Sequence, residues 1–571
     1  MKAEIIHQWQ LIGPPHPPLL KDEVLEDAVK LGITSLESYF FWSEIEKEPG
    51  KFDFSSYDVL VEKLKRHNLK WVPFLILGPS YGTPQWFKKS NDSVFCKCLE
   101  HQKESGNQSI WNPNLPRHVE RFLAKTAEHY QDKEIIESVI LGISGNWGEA
   151  IYTAGGFSVG NFHTHTGFWS ADKYAKESFV NFALEKYGDL ESVNRAWVAD
   201  FKDIKEINFP SLKQENKRRA LNFILDLGSK SPKPINDLLK NLRGIIFRKN
   251  KKAFFLVSDS SSQPAKTEKP EDKQCWLDFV NWYLGSMTKW ADFWLEAARK
   301  HFPNNKIYLV TGGTGNPVLG ADFVGQAKAA KKRGAGIRIT NQTNDYAQSF
   351  ILTRLASSAC RFYGAPLTTE EEGILQTAEG VTMRIFDAIT TGADGFYCKN
   401  LISQGNLLCM EEDLPIGRLT PGAKNMEKYR HLFDLQKPII KTAVFFPNSS
   451  IALRPELVTI LYNRCARLRD ILDFDLVDEQ MIEDGALEKY QSLLVLEGEL
   501  PKEKIPSHVK IFYDPAEIKN EIDAEYDGVY ATRFPDKILY YNSNNKKIKK
   551  NAPFLQRSFE MEPNSVISIK L

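Results

Sequence analysis

The sequence predicts an α/β fold: a (β/α)8 barrel over residues 1–437, a small α/β domain over residues 438–520 and a small β domain over residues 521–571. Three observations predict it. Strand-like and helix-like segments alternate up to about residue 435, the pattern changes at Pro438, and it changes again near Ala524. Strands that alternate with helices pair in parallel, because each parallel crossover needs about a dozen residues and a helix supplies them.

Eight runs in the first segment have the length and composition of strands. In chain order they are Ile5–Ile12, Ile33–Trp42, Leu69–Leu77, Ile136–Ile143, Ile307–Val310, Gly336–Thr340, Phe362–Thr369 and Ala393–Cys398. Eight strand–helix units favour a closed (β/α)8, or TIM, barrel. A doubly wound open sheet would give a similar alternation and stays open as an alternative.

The segments between these strands carry apolar residues at helical spacing. Helices are predicted over Glu23–Leu31, Tyr57–His67, Arg117–Tyr130, Tyr174–Trp197, Phe323–Lys332, Tyr346–Cys360 and Val381–Thr390. The lysine-rich segment Pro264–Lys273 predicts a surface loop.

The last part of the chain carries shorter β-type runs. Strands are predicted over Thr442–Phe446, Phe474–Val477, Ser492–Leu496 and Val509–Phe512, with the helix-like segments Glu456–Ile471 and Ile482–Tyr490 between the first three. Further runs at Gly528–Tyr530, Lys537–Tyr541 and Ser565–Lys570, separated by Asn- and Lys-rich turns, predict the small β domain.

Composition excludes several classes of function. Hydrophobic residues make up 42% and charged residues 26%, which is typical of a globular chain and excludes a disordered or collagen-like one. Lys plus Arg (74) balances Asp plus Glu (73), so no global field recruits nucleic acid or an anionic membrane. The chain shows neither a signal peptide nor a membrane span. As written it predicts a cytoplasmic protein, and a periplasmic or secreted one if a signal peptide was removed.

The seven cysteines do not form a disulfide framework, because their number is odd and they spread from Cys96 to Cys465. Cys96, Cys98 and His101 lie close together in the sequence. They lack a clear fourth ligand, so we predict no metal site.

Catalytic groups of a parallel barrel collect in the loops that follow the strands. After the predicted fourth strand, Glu149 stands among glycines and beside Trp147; after the seventh, Glu370, Glu371 and Glu372 stand in a row. Adjacent like charges are unfavourable unless their environments separate their roles. Two carboxyl groups that face a sugar-sized cleft can hydrolyse a glycosidic bond: one donates a proton, and the other attacks the anomeric carbon or activates water.

Aromatic and polar side chains follow the same strand ends. Rings can pack on the apolar faces of a pyranose, and amide or imidazole groups can bond its hydroxyls. The predicted substrate-binding residues are Tyr39, Trp42, Asn146, Trp147, His163, Asn341, Tyr397 and Asn400. Taken singly, each has an ordinary structural interpretation; the coincidence of two acidic sites with neighbouring rings predicts a sugar site.

Several stretches resemble the clan A glycoside hydrolases. The segment Ser38–Phe54 resembles the second-strand signature of the β-galactosidases of glycoside hydrolase family 42, and Phe182–Phe201 resembles the helix that follows their acid/base strand. Phe474–Gly485 resembles part of their flavodoxin-like trimerisation domain. The resemblance implies an acid/base after barrel strand four, a nucleophile after strand seven, and a flavodoxin-like second domain. A homo-oligomer stays open, since the α/β domain is shorter than usual.

Carried over residue by residue, the resemblance makes Glu149 the acid/base and Glu370 the nucleophile. Strand alternation sends Glu370 and Glu371 to opposite sides, so Glu371 is the reserve choice. One feature departs from the family pattern: Glu149 follows Gly148 rather than an asparagine. The Gly-Glu pair resembles β-amylases, which invert. Carboxyl groups about 5–5.5 Å apart would predict retention, and about 6.5–9.5 Å inversion.

The leading hypothesis is a glycoside hydrolase that cleaves a β-linked sugar, a β-galactoside or a galactan, with retention favoured and no cofactor. Its partner is then an oligo- or polysaccharide. Lys97 and Lys399 would admit an anionic galactan, although solvated lysines are the simpler interpretation. Two alternatives stay open: an inverting, β-amylase-like glucan hydrolase, and a carbohydrate-binding pseudoenzyme without turnover.

Overall fold

The computed structural model describes residues 8–12, 21–130, 134–154, 163–212, 270–371, 377–398, 422–501, 504–518, 528–552 and 557–571. Eight parallel strands form a closed barrel. They are β1 Gln8–Ile12, β2 Ser35–Phe41, β3 Lys70–Ile76, β4 Ser138–Gly142, β5 Lys306–Thr311, β6 Gly336–Gln342, β7 Leu367–Glu371 and β8 Gly395–Cys398. β8 pairs with β1, Gly395 opposite Gln8, so the predicted closed barrel is confirmed and the open sheet is excluded.

Helices between the strands cover the outside of the barrel. They are α1 Asp22–Lys30, α2 Trp42–Ile45, α3 Ser55–Arg66, α4 Gln85–Lys88, α5 Leu115–Tyr130, α6 Lys173–Tyr187, α7 Leu190–Trp197, α8 Pro270–His301, α9 Phe323–Lys332, α10 Tyr346–Tyr363 and α11 Ala378–Thr390. The single helix predicted over Tyr174–Trp197 is two helices. Gly188 ends α6 at a φ of 90°, and the Asp189 carboxylate accepts a hydrogen bond from Ser192 N to begin α7.

The predicted surface loop over Pro264–Lys273 is wrong at its end, since Pro270 begins α8; residues 264–269 lie outside the described residues. Proline suits a first helical turn, where its missing N–H would have no partner anyway. The helix was missed because Trp276, Phe279 and Tyr283 are all buried within a largely aromatic sequence, which hides the polar–apolar periodicity.

The barrel interior follows the two-residue period of its strands. Phe74 and Ile76 of β3 belong to a small apolar cluster inside the barrel, while Trp71 and Leu75 of the same strand pack outward against the helices. In β2, Tyr39 packs against the interior cluster and Phe40 belongs to the outer core. The interior therefore receives alternate residues of every strand, including any charged ones.

The remaining sheets belong to the end of the chain. β9 Thr442–Phe446, β10 Asp475–Asp478, β11 Ser492–Leu494 and β12 Lys510–Phe512 form a parallel sheet in the order β10-β9-β11-β12. α12 Ala423–Tyr429 precedes this sheet, and α13 Asn448–Leu453, α14 Leu457–Arg469 and α15 Glu479–Glu483 lie between its strands. The predicted helix over Ile482–Tyr490 is wrong in extent, because α15 ends at Glu483 and only a 3-10 turn, Ala486–Lys489, follows.

The C-terminal β structure has more strands than predicted. Val529–Arg533, Lys537–Asn542 and Ser565–Lys570 form the expected antiparallel sheet, and a hairpin of Ile548–Ala552 with Arg557–Met561 was not foreseen. Among the described residues, no helix combines the length and apolar character needed to cross a membrane.

Asp478 leads to a prediction about stability and pH. Its carboxylate is buried and accepts hydrogen bonds from Met481 N (2.9 Å) and Asn448 Nδ2 (2.7 Å). Burial, and then the neighbouring Glu479, raise the pKa of Asp478 to about 8. Between pH ~4 and 8 the native state therefore binds more protons than the unfolded state, and the free energy of unfolding falls as pH rises. Asp478→Asn keeps an acceptor oxygen without the charge, so we expect it to exceed the wild type in stability by about 1 kcal/mol at pH 8 and to equal it at pH 4.

Urea unfolding at the two pH values measures this difference. Asp475 provides the opposite control: it is also buried, yet Arg361 and Lys489 overcome the effect of burial and lower its pKa. Asp475→Asn should therefore destabilise the protein at pH 8. An Asp478→Asn variant that is less stable than the wild type at pH 8 would contradict the prediction.

Candidate active site

The loop after β4 is shaped by two glycines with positive φ. Gly145 has a φ of 64° and Gly148 a φ of 116°, conformations that residues with a Cβ rarely adopt. Ile143 N donates to Gly148 O and Gly148 N donates to Ser144 O, which closes a tight turn. Trp147 lies on this turn with 44% of its surface exposed. The turn brings Glu149 back to the barrel, where Ala150 N donates to Val310 O of β5.

Glu149 is half-buried at the carboxyl end of the barrel. Its Oε2 accepts a hydrogen bond from Trp147 N at 3.1 Å. A Cβ at Gly312, just after β5, would lie 3.7 Å from Glu149 Cγ, so this carboxylate extends over the end of β5. Burial, and then Tyr39 and Glu149, raise the pKa of Tyr81 well above its ordinary value. Tyr81 is therefore a protonated phenol close to Glu149.

Glu370 points into the barrel from β7. Its side chain is 6% exposed, and Oε2 lies 2.5 Å from Arg338 Nη2 of β6. Arg338 is fully buried and donates to Glu37 of β2 through Nη1. Because β2 and β6 lie on opposite sides of the barrel, these contacts run through its interior. Strand alternation predicts that only one of Glu370 and Glu371 points inward, and the inward placement of Glu370 is consistent with that.

The Phe74 ring contacts the surroundings of both Glu149 and Glu370. A Cβ at Gly148 would lie 2.9 Å from Phe74 Cζ, so the turn before Glu149 rests on the Phe74 ring. The guanidinium of Arg338, which is paired with Glu370, lies 5.6 Å from the centre of the same ring. Glu149 and Glu370 therefore border the same end of the barrel interior.

Three of the predicted substrate-binding residues lie around this opening. Tyr39 packs edge-on against Phe74 with ring centres 5.4 Å apart, and Trp147 lies 6.1 Å from the Tyr81 ring. Asn146 belongs to the turn; its Nδ2 donates to Ala154 O at 2.5 Å. Trp147 presents an exposed, flat apolar ring at this opening.

Three other predicted contact residues are buried. Trp42 is fully buried and donates through Nε1 to Glu46, which leaves no face for a ligand. Asn341 is buried and uses its amide to hold the backbone of Gly313 and Leu352. Tyr397 is also fully buried and stacks on Arg338, whose Cζ lies 4.2 Å from the ring centre.

Some of the predicted residues cannot be placed at the site. Asn400, Lys399 and Glu372 lie outside the described residues. Sequence reasoning missed Glu37, Arg338 and Phe74. Glu37 and Arg338 could have been found from the sequence. Each is the only charged residue of its strand and lies at an inward position, and the two charges have opposite signs.

His163 belongs to a cluster of potential metal ligands rather than to the opening. Cys98, His101, His163 and His165 place their ligand atoms within 4.8 Å of one another. His101 Nδ1 lies 3.2 Å from both His163 Nε2 and His165 Nε2, and Cys98 Sγ lies 3.5 Å from His163 Nε2. Zinc bonds of about 2.0–2.3 Å in tetrahedral geometry separate ligand atoms by about 3.3–3.6 Å. The four side chains thus fit a zinc ion, with His163 and His165 supplying the ligands that the sequence neighbours of Cys98 lacked.

The protonation states and hydrogen bonds of these side chains also suit metal binding. Burial, and then the charge of His101, lower the pKa of His165 to about 3, so its imidazole is neutral, the form that binds metals. His165 Nδ1 lies 3.1 Å from Thr166 O and donates to it, which directs the Nε2 lone pair at the cluster. Burial raises the pKa of the Cys98 thiol, so a bound cation would displace that proton.

We expect the purified protein to bind about one Zn²⁺ per chain, measured by metal analysis after dialysis against excess Zn²⁺. His163→Ala should lower this stoichiometry and weaken binding, because only three ligands remain. Cys96→Ser is the matched control: Cys96 Sγ donates to Gln108 O instead of joining the cluster, so zinc binding should be unchanged. Equal zinc content in wild type and His163→Ala would contradict the assignment.

Comparison with known proteins agrees with the fold. The family model described as Beta-galactosidase, glycoside hydrolase family 42, matches residues 20–144. A thermophilic beta-amylase from Thermoanaerobacterium thermosulfurigenes is 26% identical over 201 residues, covering 32% of this chain and 35% of the relative. Beta-galactosidase BbgII from Bifidobacterium bifidum is 24% identical over 200 residues, covering 33% of this chain and 26% of the relative. The chain thus spans about a third of the length of the first curated relatives.

A solved structure resembles the whole chain. The beta-galactosidase from Bacillus circulans sp. alkalophilus has a TM-score of 0.67 at 13% identity, with both chains fully covered. The fold and these matches show that the chain resembles the clan A glycoside hydrolases. Within that class the predicted resemblance to family 42 is confirmed, and the resemblance to β-amylases appears among the sequence relatives.

Proposed function

We propose that the protein is a glycoside hydrolase that cleaves a β-linked sugar, with a β-galactoside or a galactan as substrate and Glu149 and Glu370 as the catalytic pair. The observation that carries the proposal is that two carboxylates in contrasting environments border one end of the barrel interior. Glu370 is buried and ion-paired with Arg338, whereas Glu149 is half-buried and bonded to a neutral backbone N–H. Carboxyl groups with different environments can take different roles in one reaction.

In this mechanism Glu149 protonates the glycosidic oxygen while Glu370 attacks the anomeric carbon. The bond to the leaving group breaks as the bond to Glu370 forms. Water then displaces Glu370, and Glu149 takes the proton of that water. Trp147 supplies an apolar face for a sugar ring, and Tyr81 presents a protonated hydroxyl next to Glu149.

A panel of aryl glycosides and plant and algal polysaccharides, with the product anomer followed by NMR, tests this proposal. We expect turnover of an aryl β-galactoside with the β-anomer released first, which is retention. Release of the α-anomer from the same substrate would mean inversion. Binding of galactosides without turnover would favour the pseudoenzyme.

A second candidate, an inverting β-amylase-like glucan hydrolase, is favoured by the Gly148-Glu149 pair and by the beta-amylase relatives. Such an enzyme would release the β-anomer of maltose from starch and leave aryl β-galactosides intact. Starch and an aryl β-galactoside, assayed side by side, therefore separate the two candidates.

A further inference from the structure

Three charged side chains from three strands meet inside the barrel. Glu37 of β2 and Arg338 of β6 are fully buried, and Glu370 of β7 is nearly so. Arg338 Nη2 lies 2.5 Å from Glu370 Oε2, and Arg338 Nη1 donates to Glu37 Oε2. The arginine is therefore held between two carboxylates, only one of which belongs to the proposed catalytic pair.

We propose that Arg338, oriented by Glu37, is a positioning residue that holds Glu370 Oε2 and thereby aims Glu370 Oε1 at the anomeric carbon. This inference rests on the proposed function, since it assigns a role to the surroundings of the proposed nucleophile. The bond that forms joins Oε1 to the anomeric carbon, and the bond that breaks joins that carbon to the leaving oxygen. Glu149 provides the proton for the leaving group.

Arg338 has little freedom to move. Its guanidinium stacks on the Tyr397 ring at 4.2 Å and lies 5.6 Å from the centre of Phe74. Nη1 donates to Glu37, and Nη2 forms an ion pair with Glu370 on a different strand. Burial alone would lower the pKa of Arg338, but Glu37 and then Glu370 raise it above its ordinary value. The group is therefore a permanent charge in a fixed place.

Stability alone does not account for this arrangement. Buried ion pairs lose hydration that their attraction repays only in part, and apolar replacements are often as stable. Here two carboxyl groups share one arginine in an interior that also contains the apolar cluster of Phe74, Ile76 and Tyr397. Catalysis gives a reason for it, because displacing a reacting atom by about 1 Å can cost about 100-fold in rate.

The chain offers a matched control in Arg354. This arginine is also fully buried, lies 3.3 Å from Asp473 and 3.6 Å from Asp475, and stacks on Phe350 at 4.0 Å. Its partners belong to the second sheet region rather than to the barrel interior. Arg338→Lys and Arg354→Lys each remove a guanidinium from similar surroundings, so both variants should lose a similar amount of stability. Only Arg338→Lys should lower the rate of hydrolysis.

The experiment measures kcat, KM and melting temperature for both variants on an aryl β-galactoside in the full-length protein. We expect Arg338→Lys to lower kcat about 100-fold with KM within about 3-fold, and Arg354→Lys to leave kcat unchanged per folded molecule. The rate of labelling of Glu370 by a 2-deoxy-2-fluoro aryl β-galactoside should fall in parallel with kcat. If Arg338→Lys does not fold, Glu37→Gln is measured instead, because it keeps a hydrogen-bonding group. We expect Glu37→Gln to lower kcat about 10-fold.

The outcomes separate the positioning role of Arg338 from the proposed function. Equal kcat in the two lysine variants, while Glu370→Gln is inactive, would overturn the positioning role and leave the proposed function standing. A wild-type protein that hydrolyses no glycoside would overturn both. A fall in kcat for Arg338→Lys and Glu37→Gln alone, with KM and melting temperature close to those of the controls, supports the inference.

Discussion

Replacing Glu370 by glutamine is expected to lower hydrolysis of an aryl β-galactoside by at least about 10⁴-fold, because the amide cannot form the glycosyl bond. The measurement is kcat/KM with a chromogenic substrate, alongside circular dichroism. The side chain keeps its size, so the barrel should persist. Arg338 remains paired with Glu37 in this variant, so the melting temperature should stay close to that of the wild type.

Glu371→Gln is the matched comparison, since the sequence alone offered Glu371 as the reserve nucleophile. We expect this variant to retain activity within about 10-fold. If Glu371→Gln loses activity and Glu370→Gln keeps it, the assignment of the nucleophile is wrong. Full activity in both variants would exclude a nucleophile from this strand.

The barrel could be predicted from the sequence because strand formation is local. Runs such as Leu69–Leu77 and Ile136–Ile143 are apolar and bounded by polar or turn residues, and β3 and β4 lie within them. The two-residue period predicted that only one of Glu370 and Glu371 points inward, but not which of the two. The position of Glu149 followed from the rule that catalytic groups collect after barrel strands.

The partners of these groups could not be predicted in the same way. Arg338 and Glu37 are 301 residues apart, and only closure of the barrel brings them together. The zinc-ligand cluster could not be predicted for the same reason. Cys98 and His163 are 65 residues apart, so the local Cys-Lys-Cys pattern contained too few of the metal ligands. The burial of Trp42 could not be predicted either, because a short helix after a strand can turn its indole toward the core, where its ring centre lies 5.6 Å from that of Trp86.

Replacing Glu149 by glutamine is expected to slow hydrolysis by an amount that depends on the leaving group. A sugar leaving group needs the proton, so its release should fall by about 10²–10⁴-fold; a dinitrophenolate leaves without protonation, so formation of the glycosyl-enzyme should change little. The variant keeps an oxygen that can accept the hydrogen bond from Trp147 N, so the turn should be preserved.

The second step gives an independent signature of Glu149. Without a base to activate water, the glycosyl-enzyme should accumulate, and added azide should restore turnover and yield a β-glycosyl azide, because azide attacks without losing a proton. The measurement is the dependence of kcat on leaving-group pKa, with and without azide. Glu371→Gln, a change of the same kind outside the proposed catalytic pair, serves as the control and should keep the wild-type dependence. A Glu149→Gln variant that slows all leaving groups equally and ignores azide would show that Glu149 shapes the loop instead of transferring the proton.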